Sequence, residues 1–106
     1  MGSAEIILIE IKSTVQRCEP EADIVLFGSR ARGDADNYSD YDLIIITAKA
    51  YSEKEKRSKR ALLNRKLVDA IQSPVDILLT SKHEFEIKST LPGHVFRTAA
   101  REGILL

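Results

Sequence analysis

The sequence predicts a small mixed α/β fold, in which a short mixed β-sheet is flanked by helices. Three observations lead there. The apolar runs Ile24 to Phe27, Tyr41 to Thr47 and Val75 to Thr80 have the length of buried strands and alternate with segments of helical periodicity. Two S-x-x-E motifs, Ser52 to Glu55 and Ser81 to Glu84, have the form of capping boxes that open helices. Asp40, Asp42 and Asp76 stand at the starts of two of the apolar runs, which is unusual company for carboxylates. A chain of 106 residues can bury one modest core, so residues 1–106 are read as one domain.

The elements follow in order. Ser3 can cap a first helix that runs to about Cys18, with Ile7, Ile11 and Val15 recurring every four residues on its inner face, and Pro20 stops it. Ile24 to Phe27 is the first strand and ends at Gly28. Ser29 to Ser39 is small, polar and rich in Gly and Asp, a loop with one helical turn at Arg30 to Arg32. Tyr41 to Thr47, rich in isoleucine, is the second strand. Ser52 opens a long helix to about Gln72 whose buried face is Leu63, Leu67, Val68 and Ile71. Ser73-Pro74 ends it, and Val75 to Thr80 is the third strand. A shorter helix follows Ser81, and Leu91-Pro92-Gly93 separates it from a last helix. Val95, Phe96, Ala99 and Ala100 mark the apolar face of that helix, and Gly103 terminates it.

Side chains two apart on a strand share a face, so Asp40 and Asp42 project together with Ile44 and Ile46. For Gly28-Ser29 to meet Asp40, the first two strands must be antiparallel. For Asp76 to join them, the second and third must be parallel, with the long helix as crossover. The three carboxylates are expected to be buried, and buried carboxylates need a cation. Magnesium suits hard oxygen ligands and shares its coordination with phosphate, and a pair of such ions suits an in-line displacement at phosphorus. Gly28 lets a backbone N–H approach a phosphate, and Ser29 offers both an N–H and a hydroxyl. Arg30 and Arg32 are further phosphate candidates, Arg32 the preferred one.

Charge narrows the classes. Sixteen basic and sixteen acidic side chains cancel, so overall charge gives no argument for wrapping nucleic acid. Locally, Asp34, Asp36, Asp40 and Asp42 form an acidic cluster, and eight bases follow between residues 49 and 66. That basic run is either a solvated helix face or a contact for nucleotide, nucleic acid or partner. Cys18 is the sole cysteine, which excludes an internal disulfide and fits a reducing compartment. The apolar run Ile6 to Ile11 is broken by Glu10 and is neither a signal peptide nor a membrane span, so a cytoplasmic protein is expected. His83 and His94 lack the spacing of a ligand pair.

Phe27-Gly28-Ser29-Arg30-Ala31-Arg32-Gly33, ten residues from Ser29 to Asp40, and Ser39-Asp40-Tyr41-Asp42-Leu43 together resemble the signature of the DNA polymerase beta-like nucleotidyltransferases. The chain is similar over nearly its whole length to their minimal nucleotidyltransferase (MNT) domains. The resemblance implies a polymerase beta palm-like fold and transfer of a nucleoside monophosphate, AMP from ATP, to a hydroxyl. It implies that Gly28 and Ser29 hold the triphosphate, that Asp40 and Asp42 bind two Mg²⁺ ions, and that Asp76 is the third carboxylate, able to assist deprotonation of the acceptor. MNT proteins commonly pair with a helical HEPN ribonuclease toxin, which makes the implied partner a HEPN-type toxin and the implied role an antitoxin. Two alternatives stay open: a binding module that silences its partner by complex formation, and a small-molecule nucleotidyltransferase of the antibiotic-modifying type. A template-copying polymerase is not expected, because no residues remain for a template-holding domain.

Overall fold

The computed structural model describes residues 3–36 and 39–106. Helix α1 (Ser3–Cys18) precedes strand β1 (Asp23–Phe27), the single turn α2 (Ser29–Arg32) and strand β2 (Tyr41–Thr47). Helix α3 (Glu53–Ile71) leads to strand β3 (Val75–Ser81), helices α4 (Lys82–Lys88) and α5 (Val95–Glu102), and a two-residue strand β4 (Ile104–Leu105). The sheet has the order β3-β2-β1-β4. β1 is antiparallel to β2 and β2 is parallel to β3, as the placement of the acids requires.

β2 explains why the strand signal was an unbroken apolar run. It lies inside the sheet with both faces covered, and Leu43, Ile44 and Ile45 are fully buried. On one face Ile24, Leu26, Leu43, Ile45, Ile77 and Leu79 pack with Ile11 and Val15 of α1 and Leu63 and Leu67 of α3. On the other, Val25, Ile44 and Ile46 pack with Phe96 and Ala99 of α5, beside Phe27, Leu78 and Phe85. This second face is the thinner layer. Its helices have only 7 and 8 residues, against 16 and 19 for α1 and α3, so they leave one end of the sheet open.

Local signals account for the helix ends. At α3, Ser52 accepts from Glu55 N at 3.2 Å while the Glu55 side chain takes Ser52 N at 3.3 Å, a complete capping box. Ser81 caps α4 in the simpler one-way form, and the His94 ring accepts from Phe96 N at 3.0 Å to cap α5. The side chain of Ser3, expected to cap α1, lies outside the described residues.

Several expectations change. Val68 is exposed rather than on the buried face of α3, and Val95 and Ala100 are exposed on α5. The apolar C-terminal residues form β4, with Val25 opposite Leu105 and Leu26 opposite Ile104. Gly103 does end α5, but with φ −76 and ψ 167 rather than a left-handed cap. Its reason is space. A Cβ there would run into the Ala99 carbonyl and Val25 Cγ1 and lie 3.1 Å from Leu26 O, so β4 reaches β1 only over a glycine. Gly103→Ala is therefore expected to cost about 1–3 kcal/mol through overpacking, read as a lower urea midpoint at unchanged slope.

Candidate active site

The site residues sit where the sheet is left open. β1 ends at Phe27, and Gly28 turns the chain with φ 74 and ψ −157, a conformation essentially confined to glycine. α2 follows at once, with Ala31 N and Arg32 N both donating to Gly28 O at 3.1 Å. The first N–H groups of such a turn have no acceptor within it, and Gly28 at the N-cap has no side chain to cap them. Gly33, at φ 83 and ψ 10, closes the turn by donating to Ser29 O at 3.0 Å.

Strand pairing sets the carboxylates beside this turn. Phe27 lies opposite Asp42, and Asp42 lies opposite Asp76 in the parallel pair, so the three form one row across one face of the sheet. Asp40 immediately precedes β2, two residues before Asp42. Gly28 is packed directly on the Asp42 carboxylate. A Cβ at Gly28 would overlap Asp42 Oδ2 and stand 3.2 Å from its Cγ. Loop and acids thus meet with no room for a side chain between them.

The carboxylates are less buried than expected. Asp40 and Asp76 are exposed and Asp42 is half-buried, so burial of all three cannot be what calls for a cation. Mutual repulsion remains as the reason. Burial pushes the Asp42 carboxyl up from the usual range, Asp76 and Asp40 push it further, and Arg32 partly offsets them. A carboxylate whose charge is made costlier by two neighbouring carboxylates suits a hard divalent ion. Among the described residues no three His, Cys, Asp or Glu side chains converge as a ready-made cage. Magnesium is usually held by one or two carboxylates, with waters and phosphate oxygens completing the shell, so the donor set fits.

The sequence matches the family of nucleotidyltransferase domains over residues 8–104. The chain belongs to that family. Its fold is shared with a solved protein described as a minimal nucleotidyltransferase, at 25% identity and TM-score 0.67, covering 99% of this chain and 100% of the other. A chain in the crystal structure of a toxin–antitoxin with AMP-PNP aligns at 23% identity and TM-score 0.66, over 92% of this chain and 69% of its own length. A Sulfolobus solfataricus protein assigned as a nucleotidyltransferase aligns at 20% identity and TM-score 0.51, over 99% and 87% of the two chains. No curated protein sequence matches. Nucleotidyltransferases of this family generally use a nucleoside triphosphate and a divalent metal, and nucleotidyl transfer is the chemistry this membership assigns.

Within the nucleotidyltransferase domain, sequence reasoning missed the work of Arg30. Its Nε and Nη2 donate to Ser39 O at 3.3 and 3.0 Å, and its guanidinium stacks on the Tyr41 ring at 4.3 Å. It pins the residue before Asp40 to the turn that follows Gly28, and the aromatic between Asp40 and Asp42 is what it rests on. That D-Y-D pattern after G-S-R was the available signal. Ser39 is further tied into its turn through Asp36, whose backbone N–H donates to Ser39 Oγ at 3.0 Å. Arg32, the preferred phosphate candidate, instead reaches Asp34 at 3.2 Å on the surface while its charge acts on Asp42.

Arg30→Ala is expected to cost about 1–2 kcal/mol by removing a cation–π contact and a charged hydrogen bond. Arg30→Lys should recover little, because the planar fork serves both contacts. Urea denaturation of the two variants checks this, and equal stability of Lys and Arg forms would refute it.

A hollow of about 500 Å³ bounded by Val25, Ile46, Phe85, Ala99 and Leu105 lies toward the other end of the strands, with none of the aspartates on its wall. No helix among the described residues is long and apolar enough to cross a membrane.

Proposed function

We propose that this chain transfers AMP from ATP to a hydroxyl on a protein partner, and that it is the antitoxin of a HEPN-type ribonuclease toxin which it modifies. The observation that carries the chemistry is Gly28 packed on Asp42 with Asp76 alongside. The loop suited to phosphate and the carboxylates suited to metal form one continuous surface. The minimal nucleotidyltransferase that aligns with the chain end to end supports the size class. The toxin–antitoxin with AMP-PNP supports the nucleotide and the partnership.

In this reading the Gly28 and Ser29 N–H groups and the Ser29 hydroxyl hold the triphosphate. Asp40 and Asp42 would hold the Mg²⁺ ions, with Asp76 as third carboxylate. Bound Mg²⁺ would neutralise charge on the triphosphate and on the reacting oxygens. Arg32, whose charge acts on Asp42, exchanges Asp34 for a phosphate oxygen. The acceptor hydroxyl oxygen forms the new bond to the α-phosphorus, and the bond from that phosphorus to the bridging oxygen breaks. Pyrophosphate leaves with the electron pair, and Asp76 takes the hydroxyl proton.

Incubation with α-phosphate-labelled ATP, Mg²⁺ and host lysate tests the whole reading. A labelled protein band that depends on the intact chain is the expected result. Label only in small molecules or nucleic acid would keep the chemistry and overturn the protein acceptor. Mg²⁺-dependent ATP binding without any labelled product would overturn transfer in favour of silencing by complex formation.

A further inference from the structure

The basic run on α3 divides once its contacts are known. Lys56 pairs with Glu84 at 3.4 Å and Glu53 at 3.6 Å, and Lys59 pairs with Glu19 at 2.9 Å over the Tyr51 ring. These two lysines tie α3 to its surroundings. Arg57 and Arg60 have no ion pair among the described residues. Both are exposed, and both line a cleft of about 600 Å³ with Ala61 and Asn64 on the α3 side and Asp76 and Ile77 on the β3 side. Two uncompensated guanidinium groups therefore share a cleft that Asp76, the third acid of the site, also lines.

The cleft follows a sheet edge that no further strand pairs among the described residues. β3 is the outermost strand on that side, and among the described residues only β2 pairs with it. Pro74 O accepts from Tyr41 N at 3.1 Å and so points toward β2, while Val75 O is taken by Asn64 Nδ2 at 3.1 Å on the α3 side. Peptide groups alternate along a strand, so Asp76 faces β2 again, and the N–H and C=O of Ile77 and then Leu79 face outward. The Asn64 contact also fixes the height of α3. Seven helix residues back from Asn64 to Arg57 span about 10 Å, the rise of about three strand residues from Val75 to Leu78. Arg60 thus stands near the level of Asp76 and Ile77, and Arg57 near Leu78, which is also on the cleft wall.

We infer that this cleft docks the protein acceptor as an extended, acidic segment added to the β3 edge. Its hydroxyl residue lies at Asp76, and its acidic side chains lie on one side of that residue, against Arg60 and Arg57. Main-chain hydrogen bonds to Ile77 and Leu79 supply affinity, and the arginines supply the choice of sequence. Unpaired N–H and C=O groups at strand spacing are matched by a peptide backbone and not by a nucleic-acid backbone, which decides between two anionic partners. The inference rests on the protein acceptor proposed above, and it deepens that reading by naming the acceptor's charge and conformation.

The test separates docking from transfer. A fluorescein-labelled random copolymer of glutamate and tyrosine is titrated with the intact chain without metal or nucleotide, beside a lysine–tyrosine copolymer and a single-stranded oligonucleotide. The acidic copolymer should bind, the basic one should not, and Arg57→Glu with Arg60→Glu should weaken binding at least tenfold. Arg57→Gln with Arg60→Gln should give a smaller loss. Amide exchange should slow at Ile77 and Leu79 when the copolymer binds and stay unchanged at Asp76 and Leu78. Unaltered binding by the arginine variants, binding without protection of those two amides, or tighter capture of the oligonucleotide through the same arginines would each overturn the inference. Docking with all these features but no labelled product with ATP upholds the cleft and removes the transfer reading instead.

Discussion

Asp42→Asn is expected to lower nucleotidyl transfer by about 10²–10³-fold and, at the same time, to raise the melting temperature of the metal-free protein. The first effect follows from position. Asp42 is the carboxylate that touches the Gly28 turn and faces Asp76, so it is the one side chain common to the phosphate and metal halves of the proposed site. The second follows from electrostatics. Burial, then Asp76 and Asp40, push its carboxyl above the ordinary range, with Arg32 pulling back. An acid whose folded value is raised binds its proton more tightly in the folded chain than in the unfolded one. Its penalty is therefore absent below the unfolded value of 3.8, grows as the pH climbs toward the folded value, and is complete above it. At pH 7 asparagine removes that penalty, a gain in stability read as a higher melting temperature. Melting curves in EDTA at pH 7 and near pH 3 check the sign: the variant should lead at pH 7 and lose its lead in acid. Mg²⁺ with ATP should then stabilise the native chain and leave the variant unmoved, because ligand binding stabilises only the form that binds it. A variant less stable than the native chain at pH 7 would show that Asp42 is a structural residue rather than a stored repulsion.

That contrast also explains what could be seen in advance. A strand covered on both faces must be apolar throughout, so Tyr41 to Thr47 declared β2 directly, and two carboxylates at its start then stood out against it. The demand that Gly28, Asp40 and Asp76 meet was enough to orient all three long strands, because only one pattern of directions brings their ends together. Contacts between residues distant in sequence left no local trace. Lys56 with Glu84, Asn64 with Val75 O, and β4 on β1 each depend on how layers stack. Exposure was misjudged for the same reason. Asp40 and Asp76 were expected to be buried because they stand at the starts of apolar strand runs, but α4 and α5 are too short to roof that end of the sheet. Val68 lies one position beyond Leu67 on α3, enough rotation to carry it from core to solvent. Arg30 was legible only in part, since its partners are a backbone carbonyl and a ring face rather than a charge.

Gly28→Ala is expected to reduce transfer by about 10²-fold or more while leaving a folded protein, and Gly33→Ala supplies the contrast. Both glycines have positive φ, 74 and 83. Gly33 lies in the ordinary left-handed region, and a Cβ there meets nothing within 4 Å, so alanine costs roughly 1 kcal/mol of backbone strain and little activity. Gly28 lies where essentially only glycine goes, a strain of about 1–3 kcal/mol, and its Cβ would occupy the place of the Asp42 carboxylate. Either the turn retreats from the acids or Asp42 rotates away from Asp76. Both separate phosphate from metal, and a misplacement of about 1 Å is enough for a loss of this order. A double-mutant cycle isolates the collision. With Asp42→Ala the obstructing carboxylate is gone, so adding Gly28→Ala should then cost only the backbone strain, and the two substitutions should be less than additive in stability. Urea denaturation of the four proteins measures it. Full additivity would mean that Gly28 and Asp42 do not press on each other, and with that contact would go the observation on which the assignment of one joint phosphate and metal site depends.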